Sequence, residues 1–337
     1  MKAPGFWWQK PGAAAALLSP AAAVYGAVAA KRLAMRGERV AVPVICVGNL
    51  TVGGSGKTPT AISIARLLMD AREKPMFLTR GYGGSLGGPV SVETQHTAAE
   101  VGDEPLLLAR VAPTIVSRAR PAGARLAQKK GATVVVMDDG FQNPSLAKDL
   151  SILVIDGARG IGNGRVLPAG PLRAPLEAQL DRAHALLIVG KVTGASPLVI
   201  AARARGLPLF HATLRPDPTA VAALAGTKVL AFAGTADPAK FFATLAEAGI
   251  EAPIQRSFAD HHRYRAAEAA ALLADAERHG LALLTTEKDL ARLTGDPSLA
   301  ALASRARALP VQLTVTEDEA LRRFVLGALE RSRLTPR

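Results

Sequence analysis

Between residues 40 and 190 the apolar positions fall into short runs separated by polar, Gly- and Pro-rich turns. Residues 40–47, 75–78, 114–116, 132–137, 150–155 and 185–189 are predominantly apolar runs, interrupted only by Thr114, Thr133 and Ser151 and mostly rich in β-branched side chains. Such runs read as strands buried on both faces. Helical spacing lies between them, at 60–71, 104–111 and 122–130. Strands alternating with helices predict an α/β fold with a mainly parallel sheet covered on both sides. Loops at the carboxyl ends of its strands should then hold the site.

A second, smaller α/β unit begins near Thr227, with strands at 228–233 and 282–286 and helices at 238–248 and 266–278. Residues 209–214 and 311–315 flank it and alternate like half-buried strands, so they are expected to pair as a two-stranded linker. A last helix, 317–331, would return to the first unit. The division is an N-terminal helix at 1–36, a large domain at 37–208 and a linker with one strand at 209–226. A smaller domain follows at 227–309, then a return strand and helix at 310–337.

The turn after the first strand carries the most chemistry. Residues 47–58 read Val-Gly-Asn-Leu-Thr-Val-Gly-Gly-Ser-Gly-Lys-Thr. Strand, Gly-rich turn, Lys-Thr and helix make a phosphate-binding loop formed by Thr51, Val52, Gly53, Gly54, Ser55, Gly56, Lys57 and Thr58. Backbone N–H groups and the helix start would face one anion, Lys57 would reach the outer phosphates and the Thr58 hydroxyl would meet Mg²⁺. Thr51 stands where the usual pattern has Gly. A P-loop NTPase-type sheet is therefore expected, with ATP and Mg²⁺ as its ligands.

Other candidates cluster at predicted strand ends. Asp138 and Asp139 end the run 133–137, where an acid can hold Mg²⁺ beside the phosphate loop; which of the two is nearer stays open. Asp103 opens a helix in Gly102-Asp103-Glu104-Pro105 and is either a cap or a base for an attacking hydroxyl. Arg80, Arg120 and Arg173 sit in Gly/Pro-rich turns, where a guanidinium fork either meets phosphate or is merely solvated. His261 and His262 follow Asp260; one could buttress a carboxylate, or Asp260 could simply cap. Thr285-Thr286-Glu287-Lys288-Asp289 reads as a capped helix start or as a nucleotide contact.

Composition narrows the setting. The chain has 337 residues, net charge +13 and one cysteine, Cys46, so a disulfide framework is excluded. The basic excess suits anionic lipid or a phosphorylated substrate; no aromatic-interleaved basic motif is present, so nucleic acid ranks last. Residues 1–40 carry Phe6-Trp7-Trp8, an Ala-rich apolar run from 13 to 30, and six basic side chains against one acidic. The run is short for a membrane span and Pro20 should interrupt it, so a helix lying on a membrane surface is expected, with the tryptophans at headgroup level. A helix packed on the protein is the alternative.

Eight segments together resemble the tetraacyldisaccharide 4′-kinase family. They are residues 47–59, 80–84, 102–105, 138–142, 156–164, 167–173, 258–262 and 285–289, in this order and across most of the chain. The resemblance implies transfer of the ATP γ-phosphate to the 4′-hydroxyl of a tetraacylated glucosamine disaccharide 1-phosphate, giving lipid IVA. It implies a monotopic enzyme on the cytoplasmic face of the inner membrane, in contact with anionic lipid and working as a monomer. It places a carboxylate–histidine pair at Asp103 and His261, Mg²⁺-site acids at Asp138 and Asp139 beside Thr58, and functional arginines at Arg80, Arg120 and Arg173. Arg173 joins Lys57 among the catalytic groups, and Arg120 is ambiguous because Arg118 lies two residues away. Other readings are a P-loop nucleotide-hydrolysing switch or metallochaperone-type ATPase acting on a protein, and a non-catalytic nucleotide-binding adaptor at the membrane.

Overall fold

The computed structural model describes residues 3–334. Lys2, counted with the basic flank, and residues 335–337, assigned to the return helix, lie outside them. The larger sheet contains β1 (Val44–Gly48), β2 (Pro75–Thr79), β3 (Val90–Ser91), β4 (Thr114–Val116), β5 (Val134–Asp138), β6 (Leu150–Asp156), β7 (Ala185–Val189) and β8 (Leu209–Pro216). A smaller sheet contains β9 (Val229–Ala233), β10 (Ile254–Ser257), β11 (Ala282–Thr286) and β12 (Ala306–Leu309). The chain then returns to the larger sheet as β13 (Val311–Val315).

The larger sheet runs β13-β8-β7-β6-β1-β5-β2-β4-β3, parallel throughout except at the two outermost pairs. Alternation along β1 explains why its residues are apolar without a break. Val44 and Cys46 face one core, shared with Leu33, Ala124, Leu180 and Leu198 from helices on that side. Ile45 and Val47 face the other, shared with Ile64, Leu68, Leu108 and Val325. Cys46 is fully buried, and burial pushes its thiol up to about 12. The chain leaves β1 with β5 on one side and β6 on the other, so the loop after β1 stands at the switch point where such sheets bind ligands. In register, Val47 sits beside Asp138.

Several boundaries differ from the sequence reading. The first strand begins at Val44 instead of residue 40, because Pro43 has no N–H to give a ladder. The segments expected as a separate linker do pair with each other, antiparallel, but β8 also pairs with β7, so both extend the large sheet. The smaller sheet is fully parallel and gains β10 and β12, which the apolar pattern did not mark. β10 is mostly exposed and β12 is the short run Ala-Arg-Ala-Leu.

The N-terminal helix, Ala13–Ala34, runs through Pro20 without interruption. Ala16, whose carbonyl Pro20 cannot serve, is exposed. At 22 residues and mean hydropathy 1.7 the helix is long and apolar enough to cross a membrane by length and composition. It is apolar all round instead of amphipathic. Small residues Ala15, Ala22 and Gly26 face the protein, Gly26 against Pro175 and Val166. Leu17, Val24, Tyr25 and Val28 face outward. Trp7 and Trp8 are tied down within the protein. Trp7 Nε1 donates to Pro168 O at 3.0 Å, and the Arg159 guanidinium stacks 4.9 Å from the Trp8 ring. The Trp7 indole N–H and the Trp8 ring face are therefore engaged by the 159–168 loop, and both rings stay partly exposed.

Gly102 joins two short helices, Ala98–Val101 and Asp103–Ala109, at φ 91°, ψ 161°, a region open to glycine alone. A Cβ there would lie 2.5 Å from Tyr82 O. Gly102→Ala should therefore lower unfolding stability by about 1–3 kcal/mol. Denaturant unfolding checks this; an unchanged midpoint and slope would show that the turn relaxes freely.

Candidate active site

Residues 49–56 form the loop that leaves β1, and the 171–173 segment holds its front edge. Val52 N donates to Pro171 O and Arg173 N donates to Leu50 O, both at 2.9 Å. Gly53 and Gly56 have φ of 107° and 93°. A Cβ at Gly53 would meet nothing within 4 Å, and one at Gly54 only the Ala236 methyl at 3.8 Å. The loop thus faces open space, flanked by the second domain. The Ser55 hydroxyl is buried without a partner. Helix Lys57–Asp70 starts at the end of the loop, three residues earlier than apolar spacing marks, because its first turn is the polar Lys57-Thr58. Burying an anion among loop amides, an ammonium and a helix start is what this arrangement suits chemically.

The structure separates the two acids at the tip of β5. Asp138 continues the strand, and the Thr58 hydroxyl donates to its Oδ2 at 3.0 Å. Its Oδ1 is buried with no partner. Burial, helped by the charges of Glu104 and Asp139, pushes the Asp138 carboxyl up. Asp139 turns away at φ 51°, a left-handed conformation uncommon for a non-glycine residue. Arg173 grips both its oxygens, at 2.7 and 3.2 Å, and Lys57 Nζ lies 3.6 Å from Oδ2. Burial pushes the Asp139 carboxyl up, but Lys57 and Arg173 outweigh it and hold it down at about 2. Thr58 and Asp138 together offer oxygen donors only, one of them a carboxylate oxygen in need of a partner. A small hard cation such as Mg²⁺ would fit that set.

Arg173 also donates from Nε to Thr51 O at 3.1 Å and from Nη1 to Gln142 Oε1 at 3.3 Å. It is thus the brace between the loop and Asp139. Arg120 is buried, donates to Ser117 O, and is pushed down to about 10 by burial and then by the Arg80 charge. Arg80 itself is exposed at the end of β2. Arg118 instead bonds Gly84 O at the surface, so Arg120 is the buried arginine of the two.

The second centre joins the domains. Asp103 Oδ1 accepts from Glu104 N at 3.0 Å. Its Oδ2 lies 3.4 Å from His261 Nδ1 and accepts from Arg292 through Nε, at 2.7 Å, and Nη2. Burial works against the charge of Asp103, but the His261 hydrogen bond and the Arg292 and Lys288 charges hold its carboxyl well below the usual range. His261 is raised in turn by its bond to Asp103. It sits at φ 53°, with the Tyr82 ring 4.9 Å from its own. The adjacent His262 points elsewhere, to Glu268 at 2.9 Å, and stacks on Phe258. A cavity of about 450 Å³ opens beside Asp103 and His261, with Tyr82, Arg263 and Arg292 in its wall.

The 285–289 segment caps a helix and crosses the cleft. Thr286 caps Glu287–Leu293, as expected, while Lys288 reaches Glu104 at 2.6 Å. Arg159–Asp237 at 2.6 Å and Lys240–Asp156 add further cross-domain ion pairs. Sequence reasoning missed Arg292, Tyr82 and Gln142 as site residues. Tyr82 and Gln142 stood inside motifs already quoted; Arg292 lay outside all of them.

The tetraacyldisaccharide-1-P 4′-kinase (LpxK) family matches residues 14–330. A tetraacyldisaccharide 4′-kinase of Methylobacterium nodulans is 55% identical over 332 residues, covering 98% of this chain and 96% of that one. One of Rhodopseudomonas palustris (strain BisA53) is 53% identical over 334 residues, covering 99% and 97%. The solved structure of LpxK from Aquifex aeolicus in complex with ATP superposes with a TM-score of 0.71 at 28% identity, covering 94% of this chain and 99% of that one. On this agreement of sequence, fold and site, the chain belongs to the tetraacyldisaccharide-1-P 4′-kinase family.

Proposed function

We infer that this chain is a tetraacyldisaccharide 4′-kinase that moves the γ-phosphate of ATP to the 4′-hydroxyl of tetraacyldisaccharide 1-phosphate. The product is lipid IVA, a precursor of lipid A. One observation carries the assignment of roles. Asp103, a buried carboxylate held anionic and paired with His261, opens the helix whose Leu108 shares a core with Ile64 and Leu68 of the helix that leaves the phosphate loop. A phosphate donor and a proton acceptor are thus supported within one cleft.

In this reading the loop amides from Thr51 to Gly56 and the Lys57 ammonium bind the phosphates. Thr58 and Asp138 hold Mg²⁺, which supplies charge neutralisation at the phosphate oxygens when bound. Asp139 is reserved for fixing Lys57 and Arg173, so of the two acids Asp138 is the metal ligand. Asp103 takes the proton from the acceptor hydroxyl as its oxygen bonds to the γ-phosphorus. The bond to the β–γ bridging oxygen breaks, and that electron pair leaves with ADP. His261 orients Asp103, and Arg80 and Arg120 supply positive charge for substrate phosphate. Closure of two domains over this cleft would exclude water, which would otherwise accept the phosphate.

The same reading places the enzyme as a monomer on the cytoplasmic face of the inner membrane. The outward apolar side of Ala13–Ala34 supports it, as do Lys31, Arg32 and Arg36 at the helix end, which suit anionic lipid.

Transfer of radiolabelled γ-phosphate to the purified disaccharide lipid is the direct test. Lys57→Ala and Asp103→Ala should each lose roughly 10²-fold or more in kcat. Undiminished transfer by Asp103→Ala would remove the base assignment. Phosphate release at the same rate without lipid would favour the hydrolysing switch. Arg173→Lys should lower kcat/KM by about 10-fold, because a single ammonium cannot serve Asp139, Thr51 and Gln142 together; wild-type kinetics would rule out the brace. Replacing the outward residues together (Leu17→Gln, Val24→Gln, Val28→Gln) should reduce flotation with anionic vesicles while ATP binding persists. Full flotation would place the membrane contact elsewhere.

A further inference from the structure

The 285–292 region is the part of the second domain for which capping alone leaves most contacts unexplained. Asp289 is completely buried and accepts from Gly234 N through both oxygens at 3.1 Å, from the Tyr264 hydroxyl at 3.0 Å and from Thr286 Oγ1 at 2.6 Å. Burial and the Asp289 charge raise the Tyr264 phenol, so it stays protonated and donates. All these bonds fix one carboxylate, and that carboxylate holds Arg292 at 2.8 Å. Gly234 O accepts from the same Arg292 nitrogen at 2.6 Å. The other edge of the guanidinium, Nε and Nη2, is thereby aimed across the domain boundary at Asp103. Its side chain is only 7% exposed, so this is not a solvated surface pair.

The grip is one-sided. Both Arg292 bonds and the His261 approach converge on Asp103 Oδ2, while among the described residues Oδ1 carries only the neighbouring backbone N–H of Glu104. A carboxylate oxygen has room for further donors beyond one backbone amide. We propose that Arg292, set by Asp289, is a positioning residue that pins Asp103 through Oδ2 and leaves Oδ1 to receive the acceptor's proton. The second domain therefore supplies more than a wall to the cleft: it orients the base. Seated between Asp289 and Asp103, the guanidinium also makes the charge state of the base depend on domain contact. The inference rests on Asp103 being the proton acceptor.

The pH profile of kcat for lipid phosphorylation, measured on the full chain, tests this. The charged groups around Asp103 are Arg292, His261 and Lys288, with Glu104 adjacent and Asp260 beyond His261. In Arg292→Ala a cation is lost beside the carboxylate, Asp103 keeps its proton to higher pH, and the acid limb should move up by about 1–3 pH units. The plateau kcat should fall by roughly 10²-fold, with KM for ATP little changed. Arg292→Lys retains the charge without the fork, so it should restore most of the acid limb but not the plateau. It also guards against a misfolded alanine variant. Acid limbs that superimpose on wild type in both variants, with Asp103→Ala inactive, would overturn the positioning role and spare the base. An active Asp103→Ala would instead overturn the base itself, whatever Arg292 does.

Discussion

The site is organised by one local constraint, the divergence of two neighbouring carboxylates at the tip of β5. An extended strand would send Asp138 and Asp139 to opposite faces of the sheet. The left-handed backbone at Asp139 instead turns the second acid, at the carboxyl end of the sheet, toward Lys57 and Arg173, which hold it. The two carboxylates then share the helix end of the phosphate loop, and Asp139 alone also reaches its start. Asp138 meets the start of the helix at Thr58, and Asp139 meets Lys57 and, through Arg173, the loop's first residue at Thr51. The left-handed residue is held in place by its two cations.

Much of this was legible in order along the chain. The loop and the acid-tipped strand could be read because each is local: an apolar run, then polar residues at a fixed offset. Parallel neighbours β1 and β5 bring the two together, and the apolar runs implied such a sheet without giving its order. What the sequence hid was conformation and distance. No pattern marks a left-handed aspartate, so the two acids could not be told apart. Arg292 meets Asp103 across 189 positions and belongs to no motif around the phosphate loop. The bond from the Trp7 indole N–H to the Pro168 carbonyl spans 161 positions and was likewise not marked by any local pattern. Pro20 was read by its rule for helix interiors, but an exposed turn lets water take the freed carbonyl.

The boundary between the units built on the two sheets is laced with ion pairs. Arg159–Asp237, Lys240–Asp156, Lys288–Glu104 and Arg292–Asp103 all span it. Pairs at the partly exposed rim contribute little and exchange readily with water, whereas the buried Arg292–Asp103 pair is expensive to break once formed. A boundary built this way has an easily opened edge around a stubborn centre, and the stubborn centre contains the carboxylate proposed as the base.

The lone thiol lends itself to a different use. Cys46 lies at mid-sheet between two apolar cores, and burial leaves it protonated and unreactive at neutral pH. Alkylating reagents can therefore reach it only in molecules whose central ladder has come apart. The rate of its labelling would count global openings of the large domain, and native enzyme could carry maleimide probes at introduced surface cysteines without protecting or replacing this one.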